Sequence, residues 1–230
     1  MSVTVLVGGG RDEVEVRAAL VPFVKALEGG EAVSVVADEG DGVDLDRWAG
    51  VLSDAASVRH VVVTEGRPLA ADDLDGAAGV FVAGGLTPLY ARLVVPARDA
   101  LAGLPYAGFS AGAAIAAERA IVGGWRVGDL EVCSEDAGED LDELTVVDGL
   151  GRTTSAVDVH AAQWGTVTRA LHAVRLGLVP QAWAIDEHTA VVLDAGEARV
   201  VGAGAAHPRS GAGPRRPVRQ AAPMLSLIHI

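Results

Sequence analysis

The sequence predicts an α/β fold of three α/β/α layers, in which helices cover both faces of a mostly parallel central sheet. Short valine-rich runs alternate along the chain with segments whose apolar residues recur at helical spacing. The valine runs show little alternation of apolar and polar residues, which is typical of strands buried on both faces. Toward the C-terminus the pattern changes to short strands joined by tight turns, which indicates antiparallel pairs.

The first part of the chain predicts repeated units of a strand followed by a helix. The predicted strands cover residues 3–7, 32–37, 60–64 and 79–82. Asp12 is the expected cap of a first helix that Gly29 and Gly30 end, a second helix covers 45–56, and Thr87 and Pro88 begin a third. Repeated β-α-β units bring the C-terminal ends of their strands to one edge of the sheet, where ligands bind.

Glycine clusters follow two of these strands. Gly8-Gly9-Gly10 comes after the first strand and Gly84-Gly85 after the fourth, so both are expected at the ligand-binding edge. The first cluster also allows a nucleotide site, although it lacks the G-x-G-x-x-G spacing. The alternative is a loop that passes close to a neighbouring strand.

The central motif lies in residues 104–117, where an apolar strand breaks at Gly108-x-Ser110-x-Gly112 and continues into an alanine-rich helix. A serine hydroxyl becomes a useful nucleophile when such a sharp turn holds it clear of the backbone, near free N–H groups that stabilise an oxyanion. The flanking glycines lack the Cβ atoms that would crowd the turn. The pattern therefore predicts Ser110 as a nucleophile, with a closely packed structural turn as the alternative.

Acyl transfer from a serine requires a base, and two histidines are candidates. His160 closes an apolar strand predicted over 156–160, so its side chain is expected at the same sheet edge as Ser110. His188, within Asp186-Glu187-His188-Thr189, is the second choice.

Composition limits the partners of the protein. The 230 residues carry a formal net charge of -13, which argues against nucleic acid or an anionic membrane as partner. The single cysteine, Cys133, forms no disulfide within the chain and leaves no second thiolate for a zinc cluster. We therefore expect no cofactor, no metal site and no membrane association, and a cytoplasmic location, because no leader or spanning segment is evident.

The domain organisation follows from a change in composition near the C-terminus. Residues 1–203 are expected to form one α/β domain, and 204–230, rich in Gly, Pro and Arg, a disordered tail. The last six residues, 225–230, resemble a translated adapter sequence, so His229 is given no functional role. The acidic run between Glu135 and Glu143 is expected to be a solvated loop.

Several motifs together resemble a known family. Gly84-Gly85, the elbow Phe109-Ser110-Ala111-Gly112-Ala113, Asp158-x-His160 and Ala184-Ile185-Asp186-Glu187-x-Thr189-Ala190 occur in this order in the aspartyl dipeptidase and cyanophycinase family of serine peptidases. The resemblance covers about residues 3–203 and implies the class I glutamine amidotransferase-like fold, a flavodoxin-like arrangement.

The resemblance implies hydrolysis of a peptide or isopeptide bond next to an acidic residue, through an acyl-enzyme on Ser110 with His160 as the base. It assigns the oxyanion donors to the backbone N–H groups of Gly85 and Ala111. The expected substrate is a small acidic peptide or amide, and a homodimer is left open. Serine at the elbow, where glutamine amidotransferases carry cysteine, disfavours glutaminase chemistry.

The remaining assignments depend on weaker matches. Asp129 is the expected acid of the triad, with Glu118 and Glu131 as alternatives. The residues expected to contact substrate are Thr87, Asp158, Arg169 and Glu187, with Arg169 as the nearest cation for a substrate carboxylate. Leu86 stands where the family usually has a polar residue. This departure supports the alternative of an inactive protein that binds a small molecule or another protein.

Overall fold

The computed structural model describes residues 2–40, 42–211 and 219–220. The strands are β1 (Thr4–Val7), β2 (Glu31–Ala37), β3 (Ser57–Val63), β4 (Gly79–Val82), β5 (Tyr106–Phe109), β6 (Arg119–Gly123), β7 (Arg126–Val127), β8 (Leu130–Glu131), β9 (Thr145–Asp148), β10 (Ala156–Asp158), β11 (Gln181–Ile185), β12 (Thr189–Asp194), β13 (Glu197–Gly202), β14 (Ala206–Ser210) and β15 (Arg219–Gln220). The helices are α1 (Glu13–Ala26), α2 (Leu45–Val51), α3 (Thr87–Val94), α4 (Arg98–Leu101), α5 (Ala111–Ala114) and α6 (Val167–Arg175).

The central sheet has the strand order β15-β13-β12-β1-β5-β4-β2-β3. Strands β1, β5, β4, β2 and β3 run parallel to their neighbours, whereas β12 pairs antiparallel with both β1 and β13. All residues of β1 and β4 are buried, in agreement with their continuous apolar sequences. The predicted α/β fold with a mostly parallel central sheet and short antiparallel strands is confirmed.

A second, smaller sheet lies beside the central one. It has the order β10-β11-β14, with β10 and β11 parallel and β14 antiparallel to β11. The described part of the chain also contains two short antiparallel pairs, β6 with β9 and β7 with β8. Strand β14 falls in the segment that composition placed in a disordered tail, so regular structure continues beyond residue 203. Of that tail, residues 204–211 and 219–220 are described, and the others lie outside the described residues.

Helix α1 shows why the first predicted unit forms. The side chain of Asp12 caps the helix by accepting hydrogen bonds from the backbone N–H groups of Val14 and Glu15. Its apolar face, which includes Val16, Leu20 and Phe23, is buried in the core. Burying each such side chain contributes about 1.5–3 kcal/mol. Packing of this face therefore stabilises the helix more than its cap does.

Two helices are shorter than the sequence predicts. Helix α2 ends at Val51, and α5 contains only four residues. Beyond α5, the carbonyl groups of Ile115 and Ala116 accept hydrogen bonds from the N–H groups of Leu150 and Arg152, each at 2.8 Å. A distant segment thus satisfies the carbonyls that a longer helix would use, which explains why the alanine-rich run does not continue as a helix. Among the described helices, none has both the length and the apolar character needed to cross a membrane.

Candidate active site

The carboxyl ends of β1, β4 and β5 meet at one level of the sheet. In the register of these strands, Val7 is opposite Phe109 and Val82 is opposite Gly108. The N–H group of Ser110 donates to the carbonyl of Val7 at 2.9 Å. Ser110 therefore follows directly on the sheet edge, between the glycine turns that come after β1 and β4.

The backbone at Ser110 has a conformation that is rare for a residue with a side chain, with φ 50° and ψ -109°. Its neighbours make this turn possible, because a Cβ atom on Gly108 would lie against the carbonyl of Gly112. A Cβ atom on Gly112 would in turn lie against the carbonyl of Val82. The Tyr106 hydroxyl donates to the Gly112 carbonyl at 2.6 Å and so stabilises the turn.

The hydroxyl of Ser110 lies within hydrogen-bonding distance of the candidate base. Its Oγ atom is 2.8 Å from Nε2 of His160, and each residue is only 7% exposed. His160 follows β10, which belongs to the small sheet and not to the central one, contrary to the expectation of a shared edge. The two sheets are joined here because the N–H group of His160 donates to the carbonyl of Gly8 at 2.9 Å.

A carboxylate contacts the other nitrogen of the imidazole. Oε1 of Glu187 is 2.7 Å from Nδ1 of His160. Glu187 is thus positioned to orient the ring, and not to bind substrate as the sequence suggested. The expected acid, Asp129, lies in the exposed turn between β7 and β8, and its alternatives Glu118 and Glu131 are exposed as well. The carboxylate in contact with the imidazole is therefore that of Glu187 and not that of Asp129, the acid expected from the sequence.

Strand register explains how Glu187 reaches the histidine. In the parallel pair of β10 and β11, Asp158 is opposite Ala184. The residues that follow these two strands therefore leave the small sheet at neighbouring positions. A prediction that 156–158 and 181–185 pair in parallel would have placed the Asp186-Glu187 segment beside His160.

The surroundings of His160 favour its neutral form. Burial lowers the pKa of the imidazole, and the hydrogen bond and negative charge of Glu187 raise it only in part. The indole of Trp164 stacks on the imidazole, with ring centroids 3.9 Å apart. A neutral ring with its Nδ1–H donated to Glu187 presents a free lone pair at Nε2, which can accept the proton of Ser110.

The glycines after β1 support the two histidines. A Cβ atom on Gly9 would overlap the imidazole of His160, and one on Gly10 would overlap the ring of His188. Glycine is therefore required at these two positions because the histidine rings pack directly against the backbone. The glycines need no nucleotide to explain them, so the nucleotide-site alternative loses its support. His188 itself accepts a hydrogen bond from the N–H group of Asp12 at 3.1 Å, which places the second-choice base in a structural role.

Arg169 and Asp158 form a buried ion pair and are closed to substrate. They are 4% and 1% exposed, and Nε and Nη2 of Arg169 donate to the two carboxylate oxygens at 2.9 and 2.6 Å. Burial alone would lower the pKa of the guanidinium, but the charge of Asp158 raises it above its usual value. Nη1 of Arg169 donates to the carbonyls of Gly124 and Ala137. The pair anchors neighbouring loops, and its burial gives no support to the expected substrate contacts of either residue.

Thr87 is likewise buried, and its N–H group donates to the carboxylate of Glu139 at 2.8 Å. It is the first buried residue of α3, directly after Leu86, so its expected contact with substrate is not supported.

An open cavity of about 710 Å³ lies above the serine. Gly85 and Ser110 line it, together with Trp164 and residues of the acidic run. Within residues 2–40, 42–211 and 219–220, no acceptor bonds the N–H group of Gly85 or that of Ala111. No bond within the described residues therefore blocks the role expected of these two groups, donation to an oxyanion beside Ser110.

No protein-family model matches the chain, and no curated protein matches it.

Proposed function

We propose that the protein is a serine hydrolase of the class I glutamine amidotransferase-like fold, which cleaves a peptide or isopeptide bond through an acyl-enzyme on Ser110. The observation that carries the proposal is the continuous chain from Ser110 Oγ to His160 Nε2 at 2.8 Å and from His160 Nδ1 to Glu187 at 2.7 Å. The motif order that resembles the aspartyl dipeptidase and cyanophycinase family supports it, as does the parallel sheet under the elbow.

In the first half of the reaction, His160 Nε2 takes the hydroxyl proton while Ser110 Oγ forms a bond to the carbonyl carbon of the substrate. The carbonyl oxygen becomes an oxyanion, and the N–H groups of Gly85 and Ala111 donate to it. When the tetrahedral intermediate collapses, the C–N bond breaks and the imidazolium gives its proton to the leaving amine. The acyl group remains as an ester on Ser110.

In the second half, water replaces the amine. His160 takes a proton from the water molecule while the oxygen of that water attacks the ester carbon. The C–O bond between the acyl group and Ser110 then breaks, and His160 returns the proton to the serine oxygen. In both halves the carboxylate of Glu187 accepts the Nδ1–H of His160 and stabilises the imidazolium. A carboxylic acid and an amine are the products.

The acidic neighbour of the scissile bond, which the resemblance implies, lacks a partner in this cavity. Arg169 was the cation expected to bind it, and that residue is neutralised by Asp158 in the core. The proposal therefore specifies the bond that is cleaved and not the charge of the substrate.

A fluorophosphonate probe tests the proposal, because it forms a covalent bond with an activated serine. We expect labelling of the wild-type protein at Ser110, located by mass spectrometry, and loss of labelling in Ser110→Ala and His160→Ala. Folded wild-type protein that remains unlabelled would contradict the proposal and favour a binding protein without turnover.

A further inference from the structure

Tyr90 is a buried tyrosine of α3 whose ring lies against one of the two expected oxyanion donors. The residue is 0% exposed, and a Cβ atom on Gly85 would lie 3.0 Å from Cε2 of its ring. Gly85 lines the cavity above Ser110, whereas Tyr90 does not. Tyr90 can therefore act on this donor, but it cannot touch a substrate.

The Tyr90 hydroxyl connects two backbone groups at the ends of neighbouring strands. It accepts a hydrogen bond from the N–H group of Ala37, the last residue of β2, at 3.0 Å. It donates to the carbonyl of Gly84, which follows β4, at 3.1 Å. Burial raises the pKa of the phenol above its ordinary value, so the hydroxyl keeps the proton that it donates.

The Gly84 carbonyl and the Gly85 N–H group belong to one peptide unit. This peptide is trans, so its C=O and N–H bonds point in opposite directions within one rigid plane. A bond that fixes the direction of the carbonyl therefore also fixes the direction of the N–H group. The Tyr90 hydroxyl thus sets the orientation of the N–H group that is expected to bind the oxyanion.

The residues after Gly85 are held by other side chains. The N–H group of Leu86 donates to Glu39 at 2.6 Å, and that of Thr87 donates to Glu139 at 2.8 Å. These bonds fix the chain on the far side of Gly85 and do not involve the peptide that joins it to Gly84. Within the described residues, the Gly84 carbonyl accepts a hydrogen bond from the Tyr90 hydroxyl alone.

The same contacts should also strengthen the Gly85 donor. Hydrogen bonds in series polarise one another, and here the series runs from the Ala37 N–H group through the Tyr90 hydroxyl to the Gly84 carbonyl. A bond to this carbonyl oxygen draws electron density from the amide nitrogen, which makes its N–H group a better donor. Dipoles fixed in this way stabilise a developing oxyanion without having to reorganise.

We infer that Tyr90 is a positioning residue for the hydrolysis, which orients and polarises the Gly84–Gly85 peptide as an oxyanion donor. This inference rests on the proposed function, since the peptide has this role only if Ser110 attacks a carbonyl group.

The variant Tyr90→Phe tests the inference because it keeps the ring and removes the hydroxyl. We expect fluorophosphonate labelling of Ser110 near pH 7 to slow by roughly tenfold, less than the loss of about 10²–10³ that follows removal of a whole oxyanion donor. The midpoint of the pH profile should stay at the wild-type value, because neither hydrogen bond of Tyr90 involves His160. An unchanged rate, or a shifted midpoint, would overturn the inference and leave the proposed function standing. Wild-type protein that remains unlabelled would overturn both.

Nuclear magnetic resonance of the labelled proteins separates orientation of the donor from the loss of a buried hydroxyl. In the wild-type adduct the phosphonyl oxygen should accept from the Gly85 N–H group and move its proton resonance downfield from the free protein. This shift should be smaller in Tyr90→Phe. Tyr106→Phe removes a hydroxyl that is as deeply buried but donates to Gly112, so the Gly85 shift should keep its wild-type size, whatever the effect on rate. Equal shifts in all three proteins, or equal losses in the two variants, would contradict the inference.

The wild-type protein provides a further test that does not depend on the folding of a variant. The Tyr90 hydroxyl proton is buried, and its resonance should move downfield when the adduct forms, because an acceptor at the Gly85 N–H group strengthens every bond in the series. A resonance that does not move would overturn the inference, while formation of the adduct would still support the proposed function.

Discussion

The imidazole of His160 and the indole of Trp164 are stacked almost in parallel, with centroids 3.9 Å apart and an angle of 10° between the rings. The indole covers one face of the proposed base and contributes to the burial that lowers its pKa.

Removing the indole should change the acid limb of the pH profile. In Trp164→Ala the imidazole gains contact with water, so its pKa should rise toward the ordinary value of about 6.5. The base then becomes protonated at a higher pH, and the acid limb of the labelling rate should move upward. Trp164→Phe keeps a stacked ring and serves as the control. An unchanged or lowered midpoint in Trp164→Ala would contradict this role.

The wild-type protein should lose activity only at acid pH. His160 accepts the serine proton in its neutral form, and burial lowers the pKa of the imidazole below its usual 6.5. The rate of serine labelling should therefore be constant near pH 7 and fall as pH decreases through this lowered pKa. A profile whose midpoint lies above pH 7 would be incompatible with the buried ring.

Two carboxylate variants distinguish the acids. Glu187→Gln removes the charge that orients and stabilises the imidazolium, and should slow labelling or turnover by roughly 10²–10⁴. Asp129→Asn changes an exposed turn and should retain the wild-type rate. The opposite pattern would restore Asp129 as the acid of the triad.

Adding one methyl group beside the base should be costly for activity. The Cβ atom of Gly9→Ala would overlap the His160 ring, so labelling of Ser110 should be lost. Gly29→Ala is the control because Gly29 also has a positive φ but nothing within 4 Å of its added Cβ atom. Both variants should lose about 1–3 kcal/mol of stability from backbone strain, measured by urea unfolding. Equal labelling by the two would argue against contact of Gly9 with the base.

The buried ion pair should matter for stability more than any surface pair. Asp158→Ala leaves the Arg169 guanidinium unpaired in the core and should lower the free energy of unfolding by about 3–5 kcal/mol. Asp148→Ala breaks an exposed pair with Arg119 and should cost less than about 1 kcal/mol. Urea denaturation measures both, and similar losses would show that Arg169 finds water or another partner.

The sequence predicted the part of the site that depends on local pattern. Gly108-x-Ser110-x-Gly112 favours a sharp turn, and His160 was correctly paired with the serine, although the reason given, a shared edge of one sheet, was wrong. The strand β4 has the bounds predicted, because a run of apolar residues between glycines fixes both ends.

The parts that were missed depend on contacts between distant segments. Glu187 reaches His160 only through the parallel register of β10 with β11, which no local pattern encodes. Arg169 was expected to bind a substrate carboxylate, because nothing local in the sequence shows that Asp158 pairs with it in the core. The acidic run was expected to be a solvated loop, and its role as a cavity wall requires the contact of Glu139 with the start of α3.

The proposed nucleophile and the groups that activate it belong to different sheets. Ser110 is fixed by the large sheet, whereas His160 and Glu187 follow two adjacent strands of the small one, and the Gly8 carbonyl bonds one to the other. A shift of the small sheet by a single residue spacing would carry both activating groups away together. The proposed activity therefore depends on how the two sheets pack against each other. A substitution at their junction should abolish turnover while leaving the serine turn intact.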